Sequence, residues 1–220
     1  IKFAMLGMVK DEKGEVIQRF SEPYELSIPA ANLESFKQSV FTMVRHFWLT
    51  PGRYTLETAA RDQSSGKISA QRQAFTVALP KSDLQTSSLF LVKQIEQIAV
   101  NTNNDPENPL LTGAKRIIPD LAVNIAVANR QELSFSLAIF PKPESTEKPA
   151  MNLELLLDDK VIAKTSAELP PPDETGKINF TAGIPAANLV PGAYRFHAVV
   201  AQAGATAEET MEFTVTGERP

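Results

Sequence analysis

Along most of the chain, apolar and polar residues alternate one for one. Residues 133–140 (Leu-Ser-Phe-Ser-Leu-Ala-Ile-Phe) are the cleanest case, with Leu133, Phe135, Leu137 and Ile139 on one side. A β-strand sends successive side chains to opposite faces, so this period of two predicts a strand with one face turned to a core. The same pattern predicts strands at 2–9, 15–20, 24–28, 40–49, 53–61, 72–77 and 89–92. In the second half it predicts them at 122–127, 133–140, 152–157, 161–166, 178–181, 193–201 and 210–215. Clusters rich in Gly, Pro, Asp and Ser punctuate the strands at 11–14, 21–23, 51–52 and 62–66, with longer loops at 141–149 and 170–176, as turn chemistry requires. Residues 34–39 are the one place where a short helical turn competes with extended chain. No stripe of helical period reaches a useful length, so the class is all-β.

Part of the chain repeats. Ile28-Pro29-Ala30-Ala31-Asn32-Leu33 recurs unchanged at Ile184 to Leu189, and Leu49-Thr50-Pro51-Gly52-Arg53-Tyr54 is echoed by Leu189-Val190-Pro191-Gly192-Ala193-Tyr194. Each Pro-Gly-x-Tyr leads to a Phe-Thr-Val strand end, at 75–77 and at 213–215, and a weaker echo pairs residues 11–17 with 158–162. Three echoes in one order mark two copies of a common unit. The first copy carries residues 34–48 as an insertion between elements that the second fuses at Leu189, which predicts an extra strand or hairpin there.

In each Pro-Gly corner Pro fixes one φ and Gly is expected to supply a positive one. The following strands then alternate, with Tyr54, Leu56, Thr58 and Ala60 inward in the first copy and Tyr194, Phe196, Ala198 and Val200 in the second. A Tyr in this position is either an ordinary buried strand residue or a tyrosine corner, whose hydroxyl bonds back to nearby backbone in immunoglobulin-like sandwiches. The pattern predicts two tandem immunoglobulin/fibronectin III-like β-sandwich domains, at 1–98 and 117–220, joined by a linker at 99–116. The polar run at 101–109 lies in that linker.

Composition adds exclusions. The 220 residues are 43% hydrophobic and 22% charged, ordinary for a folded protein. The net charge of −4 lacks the basic excess that a phosphate backbone or an anionic membrane surface selects, so nucleic acid is not expected as a partner. There is no Cys, which removes disulfides, thiolate metal sites and Cys nucleophiles. No apolar run approaches the length of a transmembrane helix. The chain begins at Ile1 without a signal peptide and reads as a piece of a longer protein whose targeting segment lies upstream.

Candidate chemistry is sparse. His46 and His197 are the two histidines. The strand phase turns His197 outward, and His46 sits in a segment with apolar residues in both phases, which favours a partly buried packing role. Neither has a third ligand nearby in sequence for a metal site. Ser64-Ser65 and Ser87-Ser88 lack a nucleophile elbow, no phosphate-binding loop occurs, and the oxygen-rich residues 101–108 do not have the spacing of a calcium loop. No catalytic residue, cofactor or metal is expected. Phe41, Phe47 and Trp48 are the remaining candidates, either as core anchors of the inserted strand or as an aromatic patch that binds a protein or a carbohydrate.

Several motifs also occur in a fixed order: the residues from Asp11 to Phe20, Leu49 to Leu56, Phe75-Thr76-Val77, Ser87-Ser88-Leu89, and Gly113 to Pro119. In this order the chain resembles the C-terminal region of acidobacterial proteins related to von Willebrand factor A domains. The resemblance implies a secreted or envelope-associated protein with an A domain before Ile1. That family's metal motif, Asp-x-Ser-x-Ser, is absent here, so no metal residues carry over. The expected role is a non-catalytic structural or interaction module in the extracellular space or cell envelope, which spaces or presents a neighbouring domain and binds a protein partner. The alternative is a carbohydrate-binding accessory module of a larger secreted enzyme.

Overall fold

Antiparallel hairpins realise the alternating sequence in the computed structural model, which describes residues 1–37, 41–98, 108, 110–127 and 130–217. The chain divides into two units, Ile1–Leu79 and Pro80–Pro220. No helix among the described residues is long and apolar enough to cross a membrane.

The first unit is a four-stranded antiparallel sheet in the order β2-β1-β3-β4. Its strands are β1 (Lys2–Lys10), β2 (Val16–Glu25), β3 (Gly52–Asp62) and β4 (Ile68–Val77). The β1–β2 turn forms because Asp11 Oδ1 accepts from the amides of Lys13 and Glu15, both at 2.9 Å, while Gly14 takes a φ of +83°. The break expected at 21–23 does not occur. β2 runs straight through Pro23, which stands opposite Ala4 on an edge strand, the place in a sheet where a missing N–H is tolerated. Between β2 and β3 the chain makes a 3-10 turn (Ala30–Asn32) and a short helix α1 (Leu33–Lys37). The strand expected at 40–49 is not formed at 41–49, which are assigned to no strand; residue 40 lies outside the described residues. Phe41, Met43 and Phe47 meet side chains of β1 and β2, so this segment lies over the sheet instead of pairing at its edge.

The second unit is a β-sandwich of two sheets. Its early strands are β5 (Gln85–Thr86), β6 (Phe90–Gln97), β7 (Leu111–Thr112), β8 (Lys115–Asp120) and β9 (Asn124–Ala126). There follow β10 (Glu132–Phe140), β11 (Ala150–Leu157), β12 (Lys160–Ala167), β13 (Ile178–Pro185), β14 (Gly192–Gln202) and β15 (Ala205–Thr216). One sheet runs β13-β10-β6-β8-β7, with β5 also on β10; the other runs β12-β11-β14-β15-β9. They meet through Phe135 and Phe196, whose ring centroids are 4.0 Å apart. Leu133, Leu137, Ile139, Ala198 and Val200 are all buried beside them, so both predicted inner sets point into this core. The strand expected to close the first domain at 89–92 becomes β6, which pairs with β10 and β8. The reason is burial, since Leu89 and Leu91 join the Phe135 core. The compact division therefore falls before residue 80, not at 98. The expected linker supplies β7 and the start of β8, while 99–107 and 109 lie outside the described residues.

The sequence repeat is also a structural one. Tyr54 stands opposite Phe75 and Gly52 opposite Val77 in β3–β4, and Tyr194 opposite Phe213 and Gly192 opposite Val215 in β14–β15. Val9 pairs with Leu56 as Leu155 pairs with Phe196. The order β2-β1-β3-β4 thus matches β12-β11-β14-β15 strand for strand. The repeated Ala-Ala-Asn forms a 3-10 turn in both copies.

Candidate functional site

Each copy is anchored at its corner by a tyrosine hydroxyl. Tyr194 Oη donates to the Val190 carbonyl at 2.9 Å and accepts from the Val190 amide at 3.0 Å. Tyr54 Oη donates to the Thr50 carbonyl at 2.7 Å and lies 3.2 Å from Thr50 Oγ1. Both rings are buried and pack on the cross-strand Phe, with Tyr194 stacked 5.2 Å from Phe213 and Tyr54 5.7 Å from Phe75. Burying a phenol is favourable only if its hydroxyl finds a partner, and the turn backbone supplies one. The two tyrosines are therefore corner residues with a structural role. The glycines beside them depart from expectation: Gly52 has no positive φ and Gly192, at +159°, is nearly extended, so both enter as the first residues of their strands.

An open hollow flanks each corner. That of about 310 Å³ in the first unit is lined by Asp11, Arg53, Arg72 and Phe75 among others; that of about 390 Å³ in the second by Asp158, Arg195, Glu212 and Phe213. Both hollows are lined by charges that are largely paired. In the first hollow Lys10 is tied to Glu57 at 2.6 Å and Arg72 lies 3.8 Å from the same carboxylate, beside Asp11, Glu12 and Arg53; in the second Arg195 is tied to Asp159 at 2.9 Å and Glu212 at 3.1 Å. The shape follows from the shared layer.

The inserted segment carries the three aromatic candidates. Phe41 meets Phe3 and Tyr24 edge-on, both at 5.3 Å, and Phe47 stacks on Phe20 at 6.2 Å. Trp48 has a different neighbour. It is 63% exposed, which removes it from the core, and its ring lies 5.0 Å from that of His46, itself exposed. Phe41 keeps 44% of its surface exposed, and Phe47 is half-buried. The surface pair is His46 with Trp48, and the packing role expected for His46 is not found.

Arg45 straps the segment down. Its Nη2 donates to Glu22 Oε2, and to Tyr24 Oη at 2.9 Å, while its guanidinium sits 5.5 Å over the Phe20 ring. A charged hydrogen bond and a cation–π contact together hold one long side chain flat. Tyr24 Oη also lies 2.8 Å from Glu22 Oε2 and 3.1 Å from Met43 Sδ. The hydrogen bond to Glu22 first, and burial second, raise the Tyr24 pKa.

His197 is turned outward as expected, between Glu154 at 3.7 Å and Glu208 at 3.5 Å. Glu154 also accepts from Lys164 Nζ at 2.6 Å, and this bond is the main cause of its lowered pKa. No hydroxyl nucleophile takes part in these contacts, and the group reads as a surface ion-pair network. Among the described residues no group of three or more His, Cys, Asp or Glu is placed to hold a metal ion.

Sequence reasoning missed Lys177, whose side chain is only 4% exposed. Its Nζ donates to the carbonyls of Asn108 at 3.0 Å and Leu111 at 2.9 Å and lies 4.0 Å from Asp173. Nothing in its local sequence, Thr-Gly-Lys-Ile, marks a buried cation.

The chain matches no family model, and no curated protein matches it either.

Proposed function

We propose that the chain is a pair of immunoglobulin- or fibronectin type III-like modules that work without catalysis outside the cytoplasm, spacing or presenting a neighbouring domain and binding a protein partner. The observation that carries this reading is the layer built twice, each copy closed by a tyrosine hydroxyl on the backbone four residues upstream. That device belongs to immunoglobulin-like sandwiches, and serial modules of this kind set a distance and a presentation. The resemblance to envelope proteins related to von Willebrand factor A domains supports the same compartment. His46 and Trp48 supply the binding element, an exposed aromatic pair of the type that anchors protein interfaces. Fractionation of cells carrying the intact gene product, with protease added outside, tests the compartment. An external, protease-accessible product is expected, and a purely cytoplasmic one contradicts the reading.

A second reading is favoured by the 63% exposure of Trp48: a carbohydrate-binding accessory module in which the indole stacks on a sugar face. Glycan binding that is lost in Trp48→Ala supports it. Absence of glycan binding by the unaltered chain removes it.

A further inference from the structure

Each copy of the common layer has an outer strand that, among the described residues, pairs on one side only: β2 in the first and β12 in the second. Such an edge presents unpaired amides and carbonyls to any further strand. Near its start each edge also carries an exposed apolar pair, Val16-Ile17 in β2 and Val161-Ile162 in β12, with all four residues between 41% and 54% exposed. Apolar β-branched residues on a free edge are where a strand of another copy would add.

The same pair carries a β-bulge in both copies. Val9 faces Gln18 and Lys10 faces Val16, so Ile17 has no counterpart across the ladder. Leu155 faces Ala163 and Leu156 faces Val161, so Ile162 has none either. Val9 and Leu155 are equivalent in the repeat, since they pair with Leu56 and Phe196. The extra residue thus enters at one position of the layer, twice. The turn does not impose it: residues 11–15 separate β1 from β2, whereas Asp158 and Asp159 alone separate β11 from β12. Nor does burial, since the isoleucine is exposed in both copies. A bulge bends its strand and disrupts the even spacing of the outward amides and carbonyls, so an added strand cannot continue the ladder past it. The rest of each edge is blunted by other means, with Arg19 and Pro23 in β2 and Lys160 and Lys164 in β12, residues of kinds that discourage strand addition.

We infer that the bulges at Ile17 and Ile162 are guards against self-association: they keep the β2 and β12 edges from pairing with the same edge of a second copy of this chain. The inference rests on strand register and exposure alone and is independent of the proposed partner or compartment.

The test deletes the extra residue. Without Ile162 the Leu155–Ala163 and Leu156–Val161 pairs become consecutive and the edge regular, and without Ile17 the same holds for β2. The chain has no Cys, so a spin label at Ser166→Cys or Ser21→Cys reports on the altered edge alone. Sedimentation equilibrium is expected to show each deletion variant associating at least tenfold more tightly than the unaltered chain, with dipolar coupling between the labels of two copies. Unchanged association of the folded variants overturns the inference, as does association without coupling between the labels. The two deletions fall in different units, so if one variant fails to fold the other decides. If circular dichroism shows that neither folds, the bulge is a requirement of folding and the inference is overturned.

Discussion

Tyr194 and Val190 are bonded twice, the hydroxyl donating to the carbonyl and accepting from the amide of the same residue. The pair closes the corner before β14 and fixes where that strand begins. Tyr194→Phe keeps the buried ring and removes both bonds. Chemical denaturation is expected to show a loss of about 1–2 kcal/mol, near the net value of one or two hydrogen bonds. A loss below about 0.3 kcal/mol would mean that water replaces the hydroxyl at no cost.

Gly7 lies opposite Phe20 in the first sheet, and a methyl group at Gly7 would clash with the edge of that ring. The same ring carries Phe47 and the Arg45 guanidinium. Gly7→Ala is therefore expected to push Phe20 aside, at a cost of about 1–3 kcal/mol for an overpacked contact, and to loosen the strap. Hydrogen exchange should quicken across 41–50 in the variant. Unchanged exchange would show that the segment is held by other contacts.

Asp173 organises the turn before β13. Its Oδ1 accepts from the Thr175 hydroxyl at 2.6 Å, the Thr175 amide at 2.9 Å and the Lys177 amide at 3.1 Å, and Oδ2 accepts from Asn179 Nδ2 at 3.2 Å. Burial pushes the carboxyl up, but these bonds and the Lys177 charge outweigh it, so its pKa is lowered. The unfolded carboxyl then binds its proton more tightly than the folded one. The stabilisation is complete above the unfolded carboxyl's pKa and is lost as pH falls through the folded value. Asp173→Ala is expected to cost about 1–2 kcal/mol at neutral pH, and the difference from the unaltered chain should shrink in acid. A difference that stays constant down to strongly acid pH would assign the loss to packing alone.

Much of the fold was legible in the sequence because its signal is periodic. The inner sets of 133–140 and 193–201 required only alternation, and the corner registers required only the repeated Pro-Gly-x-Tyr. The division between units was not legible. Residues 89–92 alternate equally well in either unit, and what places them is the cover they give to Phe135, a contact across more than 40 residues that no local pattern encodes. Nor was the path of 41–50, since its apolar residues suit a strand as well as a segment laid over the sheet. The aromatic candidates were identifiable as a group, but not their neighbours: Phe41 against Phe3, Phe47 against Phe20 and Trp48 beside His46. Lys177 could not be foreseen, because its carbonyl partners lie far away in sequence.

The account depends most on one layer being used twice in one register. Cross-strand nuclear Overhauser contacts in the 220-residue chain test this most directly. They are expected to join Tyr54 to Phe75 and Tyr194 to Phe213, with Val9 beside Leu56 and Leu155 beside Phe196. Contacts that pair Tyr54 with any residue other than Phe75 across the β3–β4 hairpin would contradict it.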